Sequence, residues 1–536
     1  MNIKDTSSVA SSFNGSNILI TGFSGFLGKV LVEKLLYDCN EIEGIYCLIR
    51  VKRGQKPNER LEELIKGNLF TRIRAKNPSI LNKIHVIEGD LLQPNLGMSK
   101  ETIEFLQEKI SIVFHCAATV KFDDILRVSL TMNLIGTHKL VEICKKMRNL
   151  KCIVHASTAY ANCQLNETTE DVYPSPVDPE QLISALNWMD DDMLEMVTPR
   201  LLNQRPNTYT FTKALAETQF IREAKNLPAI IVRPSIIGAC WKEPNPGWID
   251  NYNGATGILF AVGKGAIRVM PGDISCKADI IPVDIVSNMM IVCAHYRMNM
   301  VTNEIPVFHC TSGELNPLKW KFIVEYCNQC LTEYPMKDPV RIPYCIMTTN
   351  QFIFLLDFYL RCYGPAKIKD LFSSIFGKKQ NNVRIYDRVY KMIRTLEFFT
   401  TNDWNFKSEG LVSLWNTLSK HDQELFNFDI RQVSWSNYLF DYLIGIRLYL
   451  MKETVSDVKQ SAEKSKSLWK RNFIYSFMFW GLVVKLTASK ASSKIKMFLW
   501  IFGILAHVIA RKYFVSKKHT ICTIDQFEKR NTKFLN

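Results

Sequence analysis

Short runs of apolar residues recur along the first half of the chain, and each is followed by small or polar residues. Patterns with helical spacing separate these runs, as at Val30, Leu31, Leu35 and Leu36 after the first of them. Apolar runs of this length are typical of buried parallel strands, and their alternation with helices predicts an α/β fold with a doubly wound parallel sheet. The predicted strands are Asn17–Ile20, Ile45–Ile49, Ile84–Ile87, Ile112–His115, Cys152–His155 and Ile230–Val232.

The turn between the first predicted strand and its helix contains Gly22, Gly25 and Gly28. A strand, a tight glycine turn and a helix N-terminus together form an anion site, because backbone N–H groups and the helix dipole face the pyrophosphate of a dinucleotide. Phe26 and Leu27, which lie between Gly25 and Gly28, are included in the predicted cofactor contacts. The G-x-x-G-x-x-G spacing resembles that of the extended short-chain dehydrogenases and reductases, which implies an extended Rossmann-type domain.

Basic residues follow the second predicted strand. An NAD-specific site usually places an acidic residue there to accept a hydrogen bond from the ribose 2′-OH. This chain has Arg50, Lys52 and Arg53 instead, which favours a 2′-phosphate and predicts NADPH as the cofactor; a solvated basic loop is the alternative. The residues after other strands that are predicted to line the cofactor are Asp90, Leu91, Ala117 and Arg233.

Tyr209 and Lys213 lie four residues apart and therefore share one face of a predicted helix. A nearby ammonium favours the phenolate, so Lys213 is expected to lower the pKa of Tyr209 and fit it for proton transfer. In the short-chain reductases that the chain resembles, this lysine also binds the nicotinamide ribose, and a Ser or Thr steadies the substrate oxygen. Thr158 is predicted for that role, with Ser157 as the alternative.

Longer segments resemble one family, the alcohol-forming fatty acyl-CoA reductases. The resemblance spans roughly residues 15 to 450, which makes it more specific than a cofactor signature. The similar segments are Pro206–Glu217, Val232–Gly238, Glu243-Pro244, Pro246–Asn251, Asn253-Gly254, Ala278–Asp284, Asp403–Phe406, Phe428–Arg431 and Trp435.

The resemblance implies reduction of a long-chain fatty acyl-CoA to a primary alcohol, through an aldehyde, with two NADPH consumed and coenzyme A released. The alcohol would feed ether-lipid or wax synthesis. Family members with similar tails suggest a peroxisomal membrane with the catalytic domain facing the cytosol, and the endoplasmic reticulum is the alternative. The Pro244–Asn253 turn is interpreted as a substrate-side loop, and the Asp403-Trp404 and Phe428–Trp435 segments as framework.

The charge and the cysteines limit the classes of partner. Residues 451–536 contain 17 Lys and Arg against five Asp and Glu, a net of +12 that makes up most of the +15 of the chain. A basic surface for nucleic acid is therefore not predicted on the enzyme body, and a membrane surface is the better partner. The 15 cysteines are scattered, which indicates a reducing compartment, and Cys327 and Cys330 lack further zinc ligands nearby. No metal is predicted.

Two apolar segments in the tail, Phe473–Val484 and Met497–Ala510, are flanked by basic residues. Each is shorter than the ~20 residues of a comfortable membrane span, so a single anchor, a hairpin and two interfacial helices all stay open. A third apolar run, Phe352–Leu360, is assigned to the helical domain as core, tunnel wall or membrane-contact face.

The predicted organisation is an extended Rossmann domain, a smaller and mostly helical C-terminal domain, and a hydrophobic membrane-anchoring tail. Its divisions are 1–14 (polar extension), 15–340 (reductase domain), 341–450 (helical domain), 451–472 (basic linker), 473–515 (anchor region) and 516–536 (basic tail). A reductase of another carbonyl, such as a sterol, and an inactive cofactor-binding membrane scaffold are the competing functions. The oligomeric state is left open.

Overall fold

The structure is a computed structural model of the chain. It describes residues 8–52, 54–300, 302, 304–339, 342–376, 381–461, 492–514 and 519–535, with isolated residues at 467, 470, 474, 477–478, 481 and 484–485. The predicted contacts of Arg53 and most of the Phe473–Val484 segment lie outside the described residues.

Seven parallel strands form the central sheet. The strands are β1 (Asn17–Thr21), β2 (Gly44–Ile49), β3 (Ile84–Glu88), β4 (Ile112–His115), β5 (Cys152–Ala156), β7 (Ala229–Pro234) and β11 (Val307–Cys310), and their order is β11-β7-β5-β4-β1-β2-β3. Strands β1, β2 and β3 thus lead in chain order to one edge of the sheet, and β4, β5, β7 and β11 lead to the other. The switch point lies between β1 and β4, where doubly wound sheets bind their ligands. This confirms the predicted α/β Rossmann-like sheet.

Three pairs of short parallel strands accompany the sheet. They are β6 (Glu167–Thr168) with β13 (Asn405–Phe406), β8 (Ile236–Gly238) with β10 (Ile280–Pro282), and β9 (Val269–Pro271) with β12 (Ile346–Thr348).

Helices alternate with the strands along the chain. The helices up to the one that carries Tyr209 are α1 (Phe26–Asp38), α2 (Pro57–Lys66), α3 (Thr71–Lys76), α4 (Lys100–Lys109), α5 (Leu126–Leu130), α6 (Gly136–Cys144), α7 (Pro179–Ala185), α8 (Asp191–Leu202) and α9 (Thr208–Glu223). Those that follow are α10 (Ala255–Gly263), α11 (Val283–Asn299), α12 (Trp320–Glu333), α13 (Gln351–Phe358), α14 (Gly364–Ile375), α15 (Asn382–Thr401), α16 (Glu409–Asn416), α17 (Lys420–Leu425) and α18 (Trp435–Gly445), with two more at Ser493–Phe514 and Ile524–Leu535.

The core of the sheet is apolar on both sides. Leu106 of α4, Leu140 of α6 and Phe220 of α9 join one buried cluster with strand residues such as Val113 and Ile153. On the other face, α11 packs against α1 and against strands β5 and β7. Because both faces are covered, the strands carry continuous apolar runs rather than alternating patterns.

The chain divides into two compact units that are discontinuous in sequence. The first unit contains Met1–Pro246, Asp279–Pro317 and Asp403–Val433, and the second contains Gly247–Ala278, Leu318–Asn402 and Ser434–Asn536. These boundaries differ from the contiguous 15–340 and 341–450 division expected from the sequence.

Two segments account for much of that difference. Residues 403–433 return to the first unit, where Trp404 stacks edge-on against Tyr160 and donates from Nε1 to the Cys163 carbonyl at 3.0 Å. At the N-terminus, Val9 and Phe13 are fully buried, so residues 9–13 pack into this unit although a polar extension was expected over 1–14.

The second of the two apolar tail segments lies in the helix Ser493–Phe514, whose exposed side chains include Phe498 and Phe502. Among the residues that the structure describes, no helix has both the length and the apolar composition needed to cross a membrane.

Candidate active site

The glycine loop follows β1 at the switch point of the sheet. Gly22 has a φ of +80°, and a Cβ placed there would lie 2.7 Å from the backbone nitrogen of Ala117, which follows β4. A Cβ on Gly28 would lie 2.3 Å from the Gly22 carbonyl oxygen. The turn therefore accepts only glycine at these positions and leaves a cradle that side chains would fill. It leads through Gly25, the N-cap residue, into α1, whose first residues are Phe26 and Leu27.

Three side chains meet where β2 and β3 end. The guanidinium of Arg50 is half-exposed, and its Nη1 lies 3.7 Å from Oδ2 of Asp90. The Arg60 guanidinium donates to the Arg50 carbonyl oxygen at 2.5 Å. Burial and the charge of Arg50 lower the pKa of Arg60, so the two cations stand close together. Arg60 was missed in the sequence because it lies ten residues beyond Arg50, on α2.

The other predicted cofactor contacts, Asp90, Leu91 and Ala117, follow strands β3 and β4. Ala117 donates from its backbone nitrogen to Oγ1 of Thr21 at 3.3 Å. Leu91 is buried. A Cβ placed on Gly136 would lie 2.9 Å from the Leu91 side chain, so these two residues are in close contact. Asp90 accepts from the backbone nitrogen of Leu92 at 3.1 Å, which fixes the turn that follows β3. Asp90, Leu91 and Ala117 thus lie at the carboxyl ends of β3 and β4, as predicted.

Tyr209 stands in the first turn of α9. Asn207 caps this helix by accepting from the backbone nitrogen of Thr210 at 2.9 Å, so the start of the helix is fixed. The hydroxyls of Tyr209 and Thr158 share a hydrogen bond, and burial raises the pKa of Tyr209 to about 12 although that bond opposes the change. The Phe122 ring packs beside Tyr209, with ring centroids 5.6 Å apart. Tyr209 therefore keeps its proton at neutral pH.

Lys213 lies one turn further along α9 and is buried. Its Nζ donates to the carbonyl oxygen of Ala156, the last residue of β5, at 2.7 Å. Burial lowers the pKa of Lys213 to about 8, and the charges of Glu217 and Cys116 act in the opposite direction. The pKa of Tyr209 is raised, not lowered as expected from a neighbouring ammonium, because burial of the phenol outweighs any effect of Lys213 in the protein alone.

The end of β4 joins the catalytic helix to the glycine loop. Lys213 interacts electrostatically with His115 and Cys116, and the next residue, Ala117, lies against Gly22. Burial and the Lys213 charge lower the pKa of His115 to about 3, so this imidazole is neutral. Its Nδ1 lies 2.7 Å from Oγ1 of Thr21 and its Nε2 lies 2.9 Å from Oγ1 of Thr137, so the ring bridges the two hydroxyls. The fold thus brings the two sequence signatures together.

Ser157 and Thr158 differ in their surroundings. Ser157 is buried, its backbone nitrogen donates to the Val232 carbonyl at 2.8 Å, and its hydroxyl has no hydrogen-bond partner among the described residues. Only the Thr158 hydroxyl is paired with Tyr209. This arrangement favours Thr158 over Ser157 as the residue that accompanies Tyr209.

Arg233 is not placed as a cofactor ligand. It is almost fully buried, and its guanidinium makes a bidentate ion pair with Glu217, with Nε–Oε1 2.9 Å and Nη2–Oε2 2.8 Å. Further bonds go to the carbonyl oxygens of Thr169 and Asp171. The structure therefore gives Arg233 a structural role, in contrast to the sequence-based expectation, which could not foresee a carboxylate on α9 opposite β7.

Asn133 is a buried site residue that the sequence did not reveal. It lies in a π-helical segment, Thr131–Ile135, between α5 and α6. Its Nδ2 donates to Oγ1 of Thr212 on α9 at 3.0 Å, and its Oδ1 accepts from the backbone nitrogen of Thr119 at 2.9 Å. Asn133 therefore ties the loop after β4 to the helix that carries Tyr209. No local motif marks this residue, because π-helical geometry leaves no simple sequence pattern.

The Pro244–Asn253 turn is divided between the two units. In the first, Glu243 pairs with the buried Lys34 at 2.5 Å, and Asn245 donates to the Asn68 carbonyl at 3.3 Å. In the second, Gly247 has a φ of +76°, and a Cβ there would lie 2.1 Å from the Asp441 carbonyl oxygen. These contacts give the turn a structural role within each unit, and its interpretation as a substrate-side loop stays a prediction.

The cysteines are inert in their surroundings. All 15 are free thiols, and Cys116 alone is partly exposed. Burial raises the thiol pKa of Cys327 to about 12 and that of Cys330 still higher. Among the described residues, the one cluster with metal-ligand geometry is His138, Glu142 and Glu223, which lies apart from this pair in sequence.

Comparison with known proteins shows which family the chain resembles. Two family models described as male sterility protein match residues 20–290 and 361–453. The chain is 40% identical over 470 residues to fatty acyl-CoA reductase 1 of Rattus norvegicus, which covers 88% of this chain and 91% of that protein. It is 37% identical over 471 residues to fatty acyl-CoA reductase 2 of Homo sapiens, with 88% and 91% covered.

Solved structures share the fold. The terminal R domain of the myxalamid PKS-NRPS pathway superposes with a TM-score of 0.54 at 19% identity, over 82% of this chain and 92% of that one. The reductase domain of a nonribosomal peptide synthetase from Mycobacterium tuberculosis gives a TM-score of 0.52 at 18% identity, over 83% and 96%. Given the identity and coverage of its curated relatives, the chain belongs to the fatty acyl-CoA reductase family and is an NAD(P)-dependent oxidoreductase.

Proposed function

We propose that the protein reduces a long-chain fatty acyl-CoA to the primary alcohol, with NADPH as reductant and release of coenzyme A. The observation that carries the proposal is the cluster of Thr158, Tyr209 and Lys213, which the end of β4 connects to the glycine loop. The curated relatives are named fatty acyl-CoA reductases, and the cluster offers a protonated phenol, a hydroxyl and an ammonium for the acid–base chemistry of such a reaction.

The residues present fit a dinucleotide. The cradle formed by Gly22, Gly25 and Gly28 leaves room for a pyrophosphate at the N-terminus of α1, and a Cβ at Gly22 or Gly28 would fill it. Lys213 is the candidate for the nicotinamide ribose, since its ammonium already lies at the end of β5. When bound, the nicotinamide supplies the hydride for each of the two reduction steps.

The hydroxyls of Thr158 and Tyr209 would donate hydrogen bonds to the carbonyl oxygen of the thioester. As the hydride adds to the carbonyl carbon, the oxygen gains negative charge, and donors already in position stabilise it. The tetrahedral alkoxide then collapses, the C–S bond breaks, and coenzyme A leaves as its thiolate with the aldehyde remaining.

In the second step a hydride adds to the aldehyde carbon, and Tyr209 gives its proton to the alkoxide oxygen. Its high pKa means that the phenol is protonated at neutral pH and available as this donor. The ammonium of Lys213, one helical turn away, would stabilise the phenolate that remains. Two equivalents of NADPH are consumed for each acyl group.

Arg50 and Arg60 support the choice of NADPH over NADH. They place two guanidinium groups after β2, where the adenosine ribose lies in this kind of fold. Guanidinium groups bind phosphate well because they are always charged and donate in a planar fork. Asp90, at 3.7 Å from Arg50, would hold that side chain in position.

We further propose that the C-terminal tail attaches the enzyme to a membrane, the peroxisomal membrane in particular, with the catalytic domain facing the cytosol. Support comes from the excess of basic residues over 451–536 and from the apolar surface of the helix Ser493–Phe514. The product alcohol would enter ether-lipid or wax synthesis. A fluorescent fusion of residues 465–536 that marks the endoplasmic reticulum would replace the peroxisomal assignment.

The function is tested with detergent-purified enzyme, NADPH and saturated acyl-CoAs of increasing chain length. Absorbance follows NADPH oxidation, mass spectrometry identifies the lipid, and Tyr209→Phe is the control. Alcohol formed at two NADPH per acyl group, and lost in the control, supports the proposal. Aldehyde as the final product reduces the reaction to one step, and NADPH binding without turnover redirects the search to another carbonyl, such as a sterol, or to a scaffold.

A further inference from the structure

A continuous helical stretch in the second unit has two apolar faces. It runs through α13, a π-helical segment at Tyr359–Tyr363, and α14. One face is a buried stripe with a spacing of four residues, made of Phe354, Phe358, Cys362 and Ala366. Phe358 packs against the ring of Tyr390 on α15 at 5.1 Å between centroids, so this stripe anchors the stretch to its own unit.

The opposite side is exposed and also apolar. Phe352 is 71% exposed and Leu360 66% exposed, and the row continues along α14. Soluble proteins seldom expose a contiguous apolar patch of this extent without a partner. Six exposed residues define what is here named the α13–α14 face: Phe352, Leu356, Leu360, Ile368, Leu371 and Phe372.

The charges around this face are arranged by sign. The exposed side chains of the stretch that are charged at neutral pH are Arg361, Lys367 and Lys369, all basic. Its two acidic residues are taken up by neighbours, because Asp357 pairs with Arg361 at 3.1 Å and Asp370 accepts from the backbone nitrogens that open α15. The surface seen by a partner is therefore apolar with a basic fringe.

We propose that the α13–α14 face is a membrane-binding surface that lies in the interface of a bilayer containing anionic lipid. Exposed Phe, Leu and Ile side chains insert at the boundary of headgroups and acyl chains, and basic side chains beside them attract anionic headgroups. The charge complementarity favours a lipid surface over an apolar protein partner. The face is separate in sequence from the C-terminal tail, which belongs to the same unit, so it adds a second membrane contact to the one proposed for the tail.

The test uses the full-length enzyme with an environment-sensitive fluorophore at Leu371→Cys. Labelling favours the new cysteine, since fourteen of the 15 native cysteines are buried and Cys116 is only partly exposed. The matched control is Met196→Cys on α8 of the first unit, an apolar residue that is 81% exposed. Vesicles contain phosphatidylcholine with or without phosphatidylserine, and lipids brominated in the acyl chain act as quenchers.

We expect a blue shift and quenching by brominated lipid at position 371 but not at position 196. A further variant, Lys367→Gln with Lys369→Gln, should weaken the response to phosphatidylserine vesicles about fivefold per residue, and less so at high salt. Quenching that is equal at both positions, or absent at 371 while the protein floats with the vesicles, overturns the proposal.

A blue shift at 371 that needs no lipid and grows with protein concentration would instead show that a second protein surface covers the face, which also overturns the proposal. Turnover of a detergent-solubilised acyl-CoA is measured for every variant. If the parent enzyme contacts lipid but does not turn over the acyl-CoA, the result counts against the proposed reaction and not against the membrane surface. The two proposals therefore fail separately.

Discussion

The Nζ of Lys213 lies 2.7 Å from the carbonyl oxygen of Ala156, which ties the catalytic helix to the end of the central strand β5. Burial holds the pKa of this lysine at about 8, below the 10.5 of an ordinary lysine. Below pH 8 the folded protein therefore carries a buried charge at a cost in stability, and this cost falls as the pH rises from 8 to 10.5, where the folded state releases the proton first.

Lys213→Met should accordingly raise the free energy of unfolding at pH 7, by on the order of 1–2 kcal/mol after the loss of the hydrogen bond to Ala156. The gain should shrink above pH 8, while activity is lost at every pH. Urea denaturation at a series of pH values measures the change in the free energy of unfolding. The control is Lys225→Met, which replaces an exposed lysine. A variant that is less stable than the parent at pH 7 would contradict the prediction.

Tyr209→Phe should lower kcat by about 10²- to 10⁴-fold, since it removes the proton donor. NADPH affinity should change little, because the phenol is paired with Thr158 and not with the glycine loop. Thr158→Val should also reduce kcat, and Thr158→Ser should restore much of it if the hydroxyl is the functional group. Equal losses in the Val and Ser variants would assign Thr158 a packing role only.

Asn133→Ala should reduce kcat roughly ten- to hundredfold through misplacement of the site. The change removes the bonds to Thr119 and Thr212, so the loop that carries Phe122 against Tyr209 loosens. We expect destabilisation of about 1–3 kcal/mol in addition. Asn149→Ala, which removes a surface hydrogen bond on the same unit, is the matched control, and an unchanged kcat in the Asn133 variant would exclude the positioning role.

Arg50→Ala should raise the Kd for NADPH by about tenfold or more, the loss expected for a charged hydrogen bond to phosphate. The Kd for NADH should stay within a factor of two or so of the parent value, because NADH has no 2′-phosphate to lose. Isothermal titration with both nucleotides measures the ratio, and the exposed Lys100→Ala serves as the control. Equal weakening of both nucleotides would point to a general disturbance of the loop.

Glu217→Gln should cost about 3–5 kcal/mol of stability, since it leaves the buried Arg233 guanidinium without its carboxylate. Replacing both residues, as Glu217→Leu with Arg233→Met, should cost less than the single change. At temperatures where the variants stay folded, and well below pH 8 so that Lys213 is charged without the support of Glu217, NADPH affinity should equal that of the parent. A selective loss of NADPH affinity would restore Arg233 to the cofactor site.

The sequence was sufficient for the sheet because buried parallel strands have continuous apolar runs. Six of the seven strands were predicted, and the missed strand, Val307–Cys310, follows Pro306 and contains a histidine. That histidine is buried beside Arg233, and its Nδ1 donates to the Lys407 carbonyl oxygen, contacts that only the folded chain reveals. Strand propensity depends on local sequence and therefore does not predict that Arg233 and Lys407 become neighbours of His309.

The site was predictable where spacing along one element decides the geometry, as for Tyr209 and Lys213. It was not predictable where partners come from distant elements. Arg233 was expected at the cofactor but pairs with Glu217, and the tyrosine pKa follows burial rather than the nearby charge. Asn133 and Arg60 have no local signature, since each acts across helices that the sequence does not place side by side.

The discontinuity of the first unit has a consequence for biosynthesis. Strand β6 pairs with β13, and the backbone nitrogen of Val9 donates to Asp422 at 3.0 Å. The reductase unit therefore cannot complete its native contacts until residue 433 has emerged from the ribosome, although its catalytic residues are made by residue 213. A nascent chain of intermediate length would carry the whole catalytic set without its closing segment, and would depend on chaperones during that interval.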